Sequence, residues 1–193
     1  MMGENKMKLY LSVIGASMAL ISLVGIFFEI APWYYVIISV VWCTALSFLF
    51  DGAIALGVSL LPSSLFGVEN PHFRVSEFEM ETYRRLRVRL WKDKIWELGG
   101  LGGFSKKTLK EPDNPEYIER FIIECNKGVL THRLSYPLGF FAMLTLSAPL
   151  SYAVALPVAI VNLVLNVMPT MALRYNTVRL KGLYKRLKRK CGR

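Results

Sequence analysis

Cysteine is scarce and widely spaced in this chain of 193 residues. The chain has three cysteines, with no Cys-x-x-Cys pair and no histidine near them at ligand spacing. This spacing argues against a disulfide framework and against a zinc site, so we expect reduced thiols and no metal. These residues are Cys43, Cys125 and Cys191.

A phosphate-binding loop is also missing. The glycine-rich segment 99–103, Gly-Gly-Leu-Gly-Gly, is followed by no Gly-Lys-Ser/Thr motif and lies in no strand–helix–strand pattern. Such a segment is typical of a flexible turn rather than of a nucleotide cradle. We therefore expect no cofactor.

One long stretch of the chain lacks charged residues, and a second stretch lacks acidic residues. Residues 136–173 contain no charged side chain, whereas residues 174–193 hold nine Lys or Arg and no Asp or Glu. The composition is 53% hydrophobic, and the mean hydropathy is +0.37. A nucleic-acid-binding protein would spread its basic residues over a polar fold. A basic run directly after an apolar helix instead suits an anionic lipid surface, so we expect membrane lipids and no nucleic acid as partners.

Apolar runs of bilayer length predict an all-α integral membrane protein of one domain, residues 1–193. Basic residues flank both termini and the middle segment, and they are absent from the two short turns between spans. This asymmetry predicts a multi-pass protein of the cell membrane with both termini and the middle in the cytoplasm. The parts are four spans at about 9–28, 33–52, 134–150 and 153–173, a helical cytoplasmic segment at about 62–133 and a basic tail at 174–193.

The second apolar run, residues 33–61, is longer than one perpendicular span needs and contains Asp51 followed by Gly52. We expect a tilt, or a break at this pair. Asp51 either serves a function, as ionisable groups at membrane depth usually do, or caps an interfacial helix. The last run contains Asn162, Asn166 and two prolines, which predict polar groups within a kinked span.

The middle segment begins with a helix signal. Ser76 followed by Glu79 forms the pattern of a capping box. Beyond it, the alternating residues 86–90, Leu-Arg-Val-Arg-Leu, suit a basic amphipathic helix on a membrane surface or a short strand.

Residues 117–132 carry the most chemically suggestive pattern. On a helix, Glu124, Gly128 and His132 lie on one face, with Lys127 beside them, directly before the second apolar block. This places a carboxylate and an imidazole where water meets lipid. A solvated amphipathic helix with one incidental histidine remains the alternative interpretation.

Three blocks together resemble the glycosyl-4,4'-diaponeurosporenoate acyltransferase family of bacterial carotenoid biosynthesis. They are residues 87–95 (RVRLWKDKI), residues 122–132 (IIECNKGVLTH), and Asn-Val-Met-Pro at 166–169 followed by RYNTVRL at 174–180. The order and spacing of these blocks agree from about Pro62 to Lys190.

The resemblance implies a membrane enzyme that attaches a fatty acyl chain to a sugar hydroxyl of a glycosylated carotenoid. It implies His132 as general base for that hydroxyl. Glu124 lies about 12 Å along the helix from His132, so we expect it to hold Arg174 or Arg179, or to orient the sugar. The arginines would bind phosphate or lipid headgroups. The remaining implied substrate-binding residues are Trp91, Lys92, Lys127, Asn166, Tyr175 and Asn176.

One departure from the family pattern bears on activity. The family places a Glu three residues before the histidine, where this chain has Val129. Lys127 replaces an Arg, and Leu173 replaces a Gln. The alternative function is therefore a membrane scaffold or lipid-binding protein that has lost the acyltransferase site. The partners implied are a lipophilic acyl acceptor and an acyl donor; the sequence names neither the donor's identity nor an oligomeric state.

Overall fold

The computed structural model describes residues 2–95 and 109–191 of the chain. These residues are mostly helical and contain no strand, which confirms the all-α prediction. The predicted glycine turn at 99–103 lies outside the described residues. The α-helices are α1 (Met2–Phe27), α2 (Trp33–Leu60), α3 (Glu77–Arg85), α4 (Val88–Trp91), α5 (Pro115–Leu138), α6 (Ala148–Leu150) and α7 (Leu156–Cys191).

Within residues 2–95 and 109–191, three stretches are long and apolar enough to cross a membrane. They are Met7–Phe27, Trp33–Leu60 and Ala148–Lys190, with hydropathies of 2.1, 1.9 and 2.0. Many of their large apolar side chains are exposed, as Leu20, Leu23 and Leu49 show. Exposed apolar surface on helices of this length indicates association with a membrane. The count of four spans and the cytoplasmic middle segment stay predictions.

Helix α2 runs without interruption through Asp51 and Gly52, so the break that we considered there is absent. Asp51 lies in the interior of α2, nine residues before its end, and it does not cap a helix. The capping interpretation was wrong because the flanking residues are apolar helix formers that continue the hydrogen-bonded ladder past a single aspartate and glycine.

The predicted third span, about 134–150, is divided between elements. Helix α5 continues through Pro137 to Leu138, and a 3₁₀ helix follows at Gly139–Thr145. After the short helix α6, a π-helical turn at Ser151–Ala155 leads into α7. Helix α7 includes Pro169 in its interior.

The chain divides into two compact units, and the first comprises Met1–Leu56 and His132–Val167. Its core joins α1, α2, the 3₁₀ helix and the start of α7. Gly25 of α1 lies so close to Val36 of α2 that an added Cβ atom would come within 2.8 Å of the Val36 side chain. Glycine therefore permits the close approach of these two helices. The buried core residues are Ile21, Val36, Val40, Cys43, Ala142, Val154, Ala155 and Val158.

The second unit comprises Gly57–Thr131 and Met168–Arg193. Asn126, buried on α5, donates its side-chain amide to the carbonyl oxygen of Phe66 at 2.9 Å and so holds the loop after α2. Tyr184 of α7 donates to Glu119 of α5 at 2.8 Å. These bonds tie the loop and the basic end of α7 to the same helix.

The predicted helix start at Ser76 is confirmed, because the Ser76 hydroxyl accepts from the Glu79 N–H at 3.1 Å. The strand alternative for residues 86–90 was wrong. Helix α3 ends at Arg85, and Arg87 adopts a left-handed conformation with φ of 50° before α4 begins. The alternating pattern thus reflects two short helices separated by one turn, not an extended strand. Cys43 and Cys125 are both buried thiols.

Candidate functional site

His132 is half-buried near the end of α5 and has a defined partner on α7. Its Nδ1 atom lies 2.8 Å from Oδ1 of Asn166, and Asn166 is only 4% exposed. Both residues belong to the first unit. The structure therefore brings together two of the site residues predicted from sequence, the histidine and one of the asparagines.

The side-chain amide of Asn166 extends this contact to α2. Its Nδ2 atom donates to Oδ2 of Asp51 at 3.2 Å and to the main-chain oxygen of Asn162 at 3.1 Å. A third contact of 3.2 Å joins it to Oδ1 of Asn162. Asp51, Asn162, Asn166 and His132 thus form one connected group, which we call the asparagine network.

The asparagine network is incompletely satisfied among the described residues. Oδ1 of Asp51 and Nδ2 of Asn162 are buried and have no hydrogen-bond partner there. Leaving such atoms unpaired costs about 1–3 kcal/mol each. Gly139 makes room for this arrangement, since an added Cβ would lie 2.9 Å from Nδ2 of Asn162. The first unit accordingly keeps an unfavourable polar group inside an apolar region.

A small apolar groove lies in the same unit, between α1, α2 and α7. Tyr10 and three Ser or Thr residues line it, and each of those three donates to a carbonyl of its own helix: Ser17 to Val13, Thr44 to Val40 and Ser47 to Cys43. The groove therefore offers a ligand mainly hydrocarbon. Asn162 belongs to both the groove and the asparagine network. The lining residues are Tyr10, Ile14, Ser17, Met18, Ile21, Thr44, Ser47, Phe48, Val158, Val161, Asn162 and Leu165.

The second unit contains a different polar cluster, the arginine cluster, made of Arg174, Glu79 and Tyr83. Nε and Nη2 of Arg174 donate to the two carboxylate oxygens of Glu79, and Nη2 also donates to the Arg74 carbonyl oxygen at 3.0 Å. The Tyr83 hydroxyl donates to Glu79 as well. Burial, followed by the hydrogen bond to Glu79 and its charge, raises the pKa of Tyr83. Such a bidentate pair holds α3 against α7.

Arg174 has its carboxylate partner in Glu79, so the expectation that Glu124 holds Arg174 was wrong. The side chain of Arg174 is 4% exposed, which suits a structural ion pair better than a headgroup contact. Glu124 instead lies 3.9 Å from Lys127, three residues along α5. Lys127 Nζ also lies 5.8 Å from the centre of the Phe66 ring.

Val129, which stands where the family has a glutamate, is 1% exposed and packed in the second unit. Its isopropyl group supplies no polar atom. In this chain, the observed partner of His132 Nδ1 comes from Asn166 on α7 rather than from a residue one turn earlier on α5.

The remaining predicted substrate-binding residues lie in the second unit. Trp91 packs against the cluster that contains Tyr175, and its indole N–H donates to the Leu86 carbonyl oxygen at 2.9 Å. Arg179 lies with its guanidinium carbon 5.3 Å from the centre of the Tyr175 ring. Lys92 pairs with the neighbouring Asp93 at 2.8 Å. Asn176 is half-buried on α7.

Sequence reasoning missed the partnership of Asp51 and Asn162 with Asn166 and the pairing of Glu79 with Arg174. Asn162 and Asn166 are four residues apart, so a shared helical face was visible in the sequence. Asp51 is 115 residues from Asn166, and Glu79 is 95 residues from Arg174. No local pattern indicates contacts at such separations.

Long apolar helices and a buried polar network that includes one histidine define a helical, membrane-associated class of protein. The family model described as glycosyl-4,4'-diaponeurosporenoate acyltransferase matches residues 64–186, which is more than half of the chain. The chain belongs to this family, and the resemblance of its three sequence blocks is confirmed. This membership supports an acyltransferase of carotenoid biosynthesis. No curated protein and no solved structure matches the chain.

Proposed function

We propose that the protein transfers a fatty acyl chain from an acyl donor to a sugar hydroxyl of a glycosylated carotenoid or related glycolipid. His132 acts as the general base. Family membership supports the reaction class. The observation that carries the assignment of His132 is its hydrogen bond to Asn166 at 2.8 Å, because a base must be held in one orientation.

The reaction needs one proton acceptor and no redox chemistry. The imidazole accepts the proton of the sugar hydroxyl while the hydroxyl oxygen attacks the acyl carbonyl carbon. A new carbon–oxygen bond forms, and the bond between the acyl carbon and the leaving group breaks. The imidazolium then returns its proton to the leaving group, which restores the neutral histidine.

Lipophilic substrates suit the first unit. The groove between α1, α2 and α7 is lined mainly by hydrocarbon, and its Ser and Thr hydroxyl groups donate to carbonyls of their own helices. Because Asn162 lines this groove and contacts Asn166, the groove and the His132 network share a residue.

The basic residues suit a cytoplasmic membrane surface. On α7, Arg179, Tyr175 and Asn176 would contact the headgroup of the donor or the acceptor. Trp91, Lys92 and Lys127 would contribute from the rest of the second unit. Glu124 would orient the sugar or Lys127. Arg174 would position α3 through Glu79 instead of contacting substrate. Both termini and the middle segment would be cytoplasmic, in agreement with their excess of Lys and Arg.

A second function is favoured by one observation. Val129 replaces the family glutamate and is buried, so the α5 helix supplies no carboxylate one turn before His132. A histidine without a carboxylate neighbour is a weaker base. This favours a non-catalytic membrane scaffold or lipid-binding protein of the same pathway.

The two functions differ in the lipids that they leave in the cell. Cells that make the glycosylated carotenoid are extracted with and without the protein, and the lipids are compared by mass spectrometry. We expect an acylated glycolipid only in cells that contain the protein. In cells with a His132→Gln variant, we expect the amount of this product to be at least about 10²-fold lower.

The matched control is His72→Gln, since His72 is the other histidine of the chain and is exposed on a 3₁₀ turn. Acylated product at wild-type levels in His132→Gln would contradict the proposed base. An identical lipid profile with and without the wild-type protein would support the non-catalytic function.

A further inference from the structure

The orientation of the Asn166 side chain follows from its neighbours. The carboxylate of Asp51 and the main-chain oxygen of Asn162 are hydrogen-bond acceptors, at 3.2 Å and 3.1 Å from the same end of the Asn166 amide. That end must be the donor NH₂ group, because the carbonyl oxygen would face two acceptors if the amide were reversed. The opposite end, facing His132, is therefore the carbonyl oxygen.

This orientation determines where the histidine carries its proton. A carbonyl oxygen accepts hydrogen bonds and donates none, so the nitrogen 2.8 Å away, Nδ1 of His132, must carry the hydrogen. A neutral imidazole has one N–H, and the hydrogen bond of one ring nitrogen sets the state of the other. Nε2 of His132 thus keeps the lone pair that a general base requires.

Among the residues of this network, Asp51 is the one whose presence is hardest to explain by a contribution to the stability of the fold. It is an ionisable group inside a helix of bilayer length, and its Oδ1 atom has no hydrogen-bond partner within residues 2–95 and 109–191. Such groups in apolar segments are costly and usually serve a function. The family match begins at residue 64, so it assigns no role to Asp51.

We infer that Asp51, acting through the amide of Asn166, is a positioning residue that holds His132 in the tautomer protonated on Nδ1. Asp51 contacts no reacting atom in this scheme. It orients Asn166, and Asn166 orients the imidazole. The network supplies from α2 and α7 the orientation that a glutamate at position 129 would supply from α5. The catalytic consequence rests on the function proposed above, whereas the tautomer does not.

The tautomer is measured directly by nuclear magnetic resonance of ¹⁵N-histidine-labelled full-length protein in detergent micelles, at a pH where His132 is neutral. The two histidines give two sets of ring-nitrogen signals, and His132→Gln assigns them. We expect His132 to show protonated Nδ1 and unprotonated Nε2. In Asp51→Leu, which removes one of the two acceptors that orient the Asn166 amide, a fraction of the form protonated on Nε2 should appear.

Exchanging the side chains of Asp51 and Asn166 distinguishes a positioning effect on His132 from general damage to the fold. Asn166→Asp alone places two carboxylates about 3 Å apart, which disfavours ionisation of both and should disturb the His132 signals. The double variant Asp51→Asn with Asn166→Asp restores one donor and one acceptor: the new carboxylate accepts from Nδ1, and the new amide donates to that carboxylate. We expect it to recover the Nδ1-protonated form and at least a tenth of wild-type product.

Trp42→Phe serves as the control, because it removes another side-chain hydrogen bond of α2, the one from Trp42 to Thr145. Its His132 signals should match those of the wild type. The inference is overturned if wild-type His132 is protonated on Nε2, or if Asp51→Leu leaves its signals unchanged. If the tautomer is as inferred but His132→Gln still forms product, the proposed function fails while the positioning network stands.

Discussion

The two units differ in whether their buried charged groups have partners of opposite charge. In the arginine cluster of the second unit, opposite charges are paired: Arg174 and Glu79 form a two-pronged ion pair, to which Tyr83 adds a hydroxyl bond, and only Nη1 of Arg174 is buried without a partner among the described residues of the cluster. In the asparagine network of the first unit, Asp51 has no cationic partner, and one oxygen of its carboxylate is unpaired within the described part of the chain. Paired charges indicate a structural role, and unpaired ones in an apolar region indicate a functional role.

The largest effect on stability should come from the arginine cluster. In a Glu79→Leu variant, the guanidinium of Arg174 stays buried without its carboxylate, and breaking a buried pair in this way costs about 3 kcal/mol or more. Thermal unfolding in detergent, followed by circular dichroism, should show a clearly lowered midpoint. Glu81→Leu is the control, since its partners Arg84 and Arg85 are largely exposed and their pairs with Glu81 contribute at most about 1 kcal/mol. Equal midpoints for the two variants would contradict a structural role for the cluster.

Gly139→Ala tests the packing that admits the asparagine network. The new Cβ would lie 2.9 Å from Nδ2 of Asn162, so that side chain must move, at a cost of about 1–3 kcal/mol. We expect a smaller loss of stability than for Glu79→Leu, together with reduced product formation. Gly182→Ala is the control, because an added Cβ there meets nothing within 4 Å. Product unchanged in Gly139→Ala would show that Asn162 is free to move without consequence.

The smallest effect should come from Tyr83→Phe, which removes one hydrogen bond to Glu79 and about 1 kcal/mol of stability. Its pH dependence gives a second signature. The pKa of Tyr83 is raised in the folded state, so its contribution to stability is complete below the unfolded-state value of about 10 and declines as the pH rises above it. Unfolding midpoints of the wild type should therefore fall more steeply above that pH than those of Tyr83→Phe. Parallel curves would contradict the burial of this hydroxyl.

Much of the fold could be predicted because its signals are local. The apolar runs predicted helices α1 and α2 and the start of α7. The cap signal at Ser76 predicted the beginning of α3. Local pattern failed at residues 86–90, where alternation suggested a strand and one left-handed residue, Arg87, instead separates two helices. Local pattern also failed at Asp51, where an acidic residue next to a glycine suggested a helix cap. The backbone hydrogen bonds of α2 instead continue past this residue.

The candidate site was only partly predictable. His132 was identified by its place on α5 and by the family blocks, and Asn166 by its place in an apolar helix. Their contact depends on how α5 and α7 face each other, and the partnership with Asp51 depends on the rotation of α2 about its axis. Periodicity gives the apolar face of each helix but not which polar residues of two helices meet.

Asp51→Leu tests the comparison most directly, because a functional acid and a structural one respond to it in opposite ways. Replacing a carboxylate that has no cationic partner and one buried, unpaired oxygen in the described part of the chain by an apolar side chain should leave the unfolding midpoint unchanged or raise it. Acylated glycolipid per folded protein, measured by mass spectrometry of lipid extracts, should fall about 10²-fold. Wild-type product from Asp51→Leu, or a loss of product that merely follows a loss of folded protein, would contradict the account.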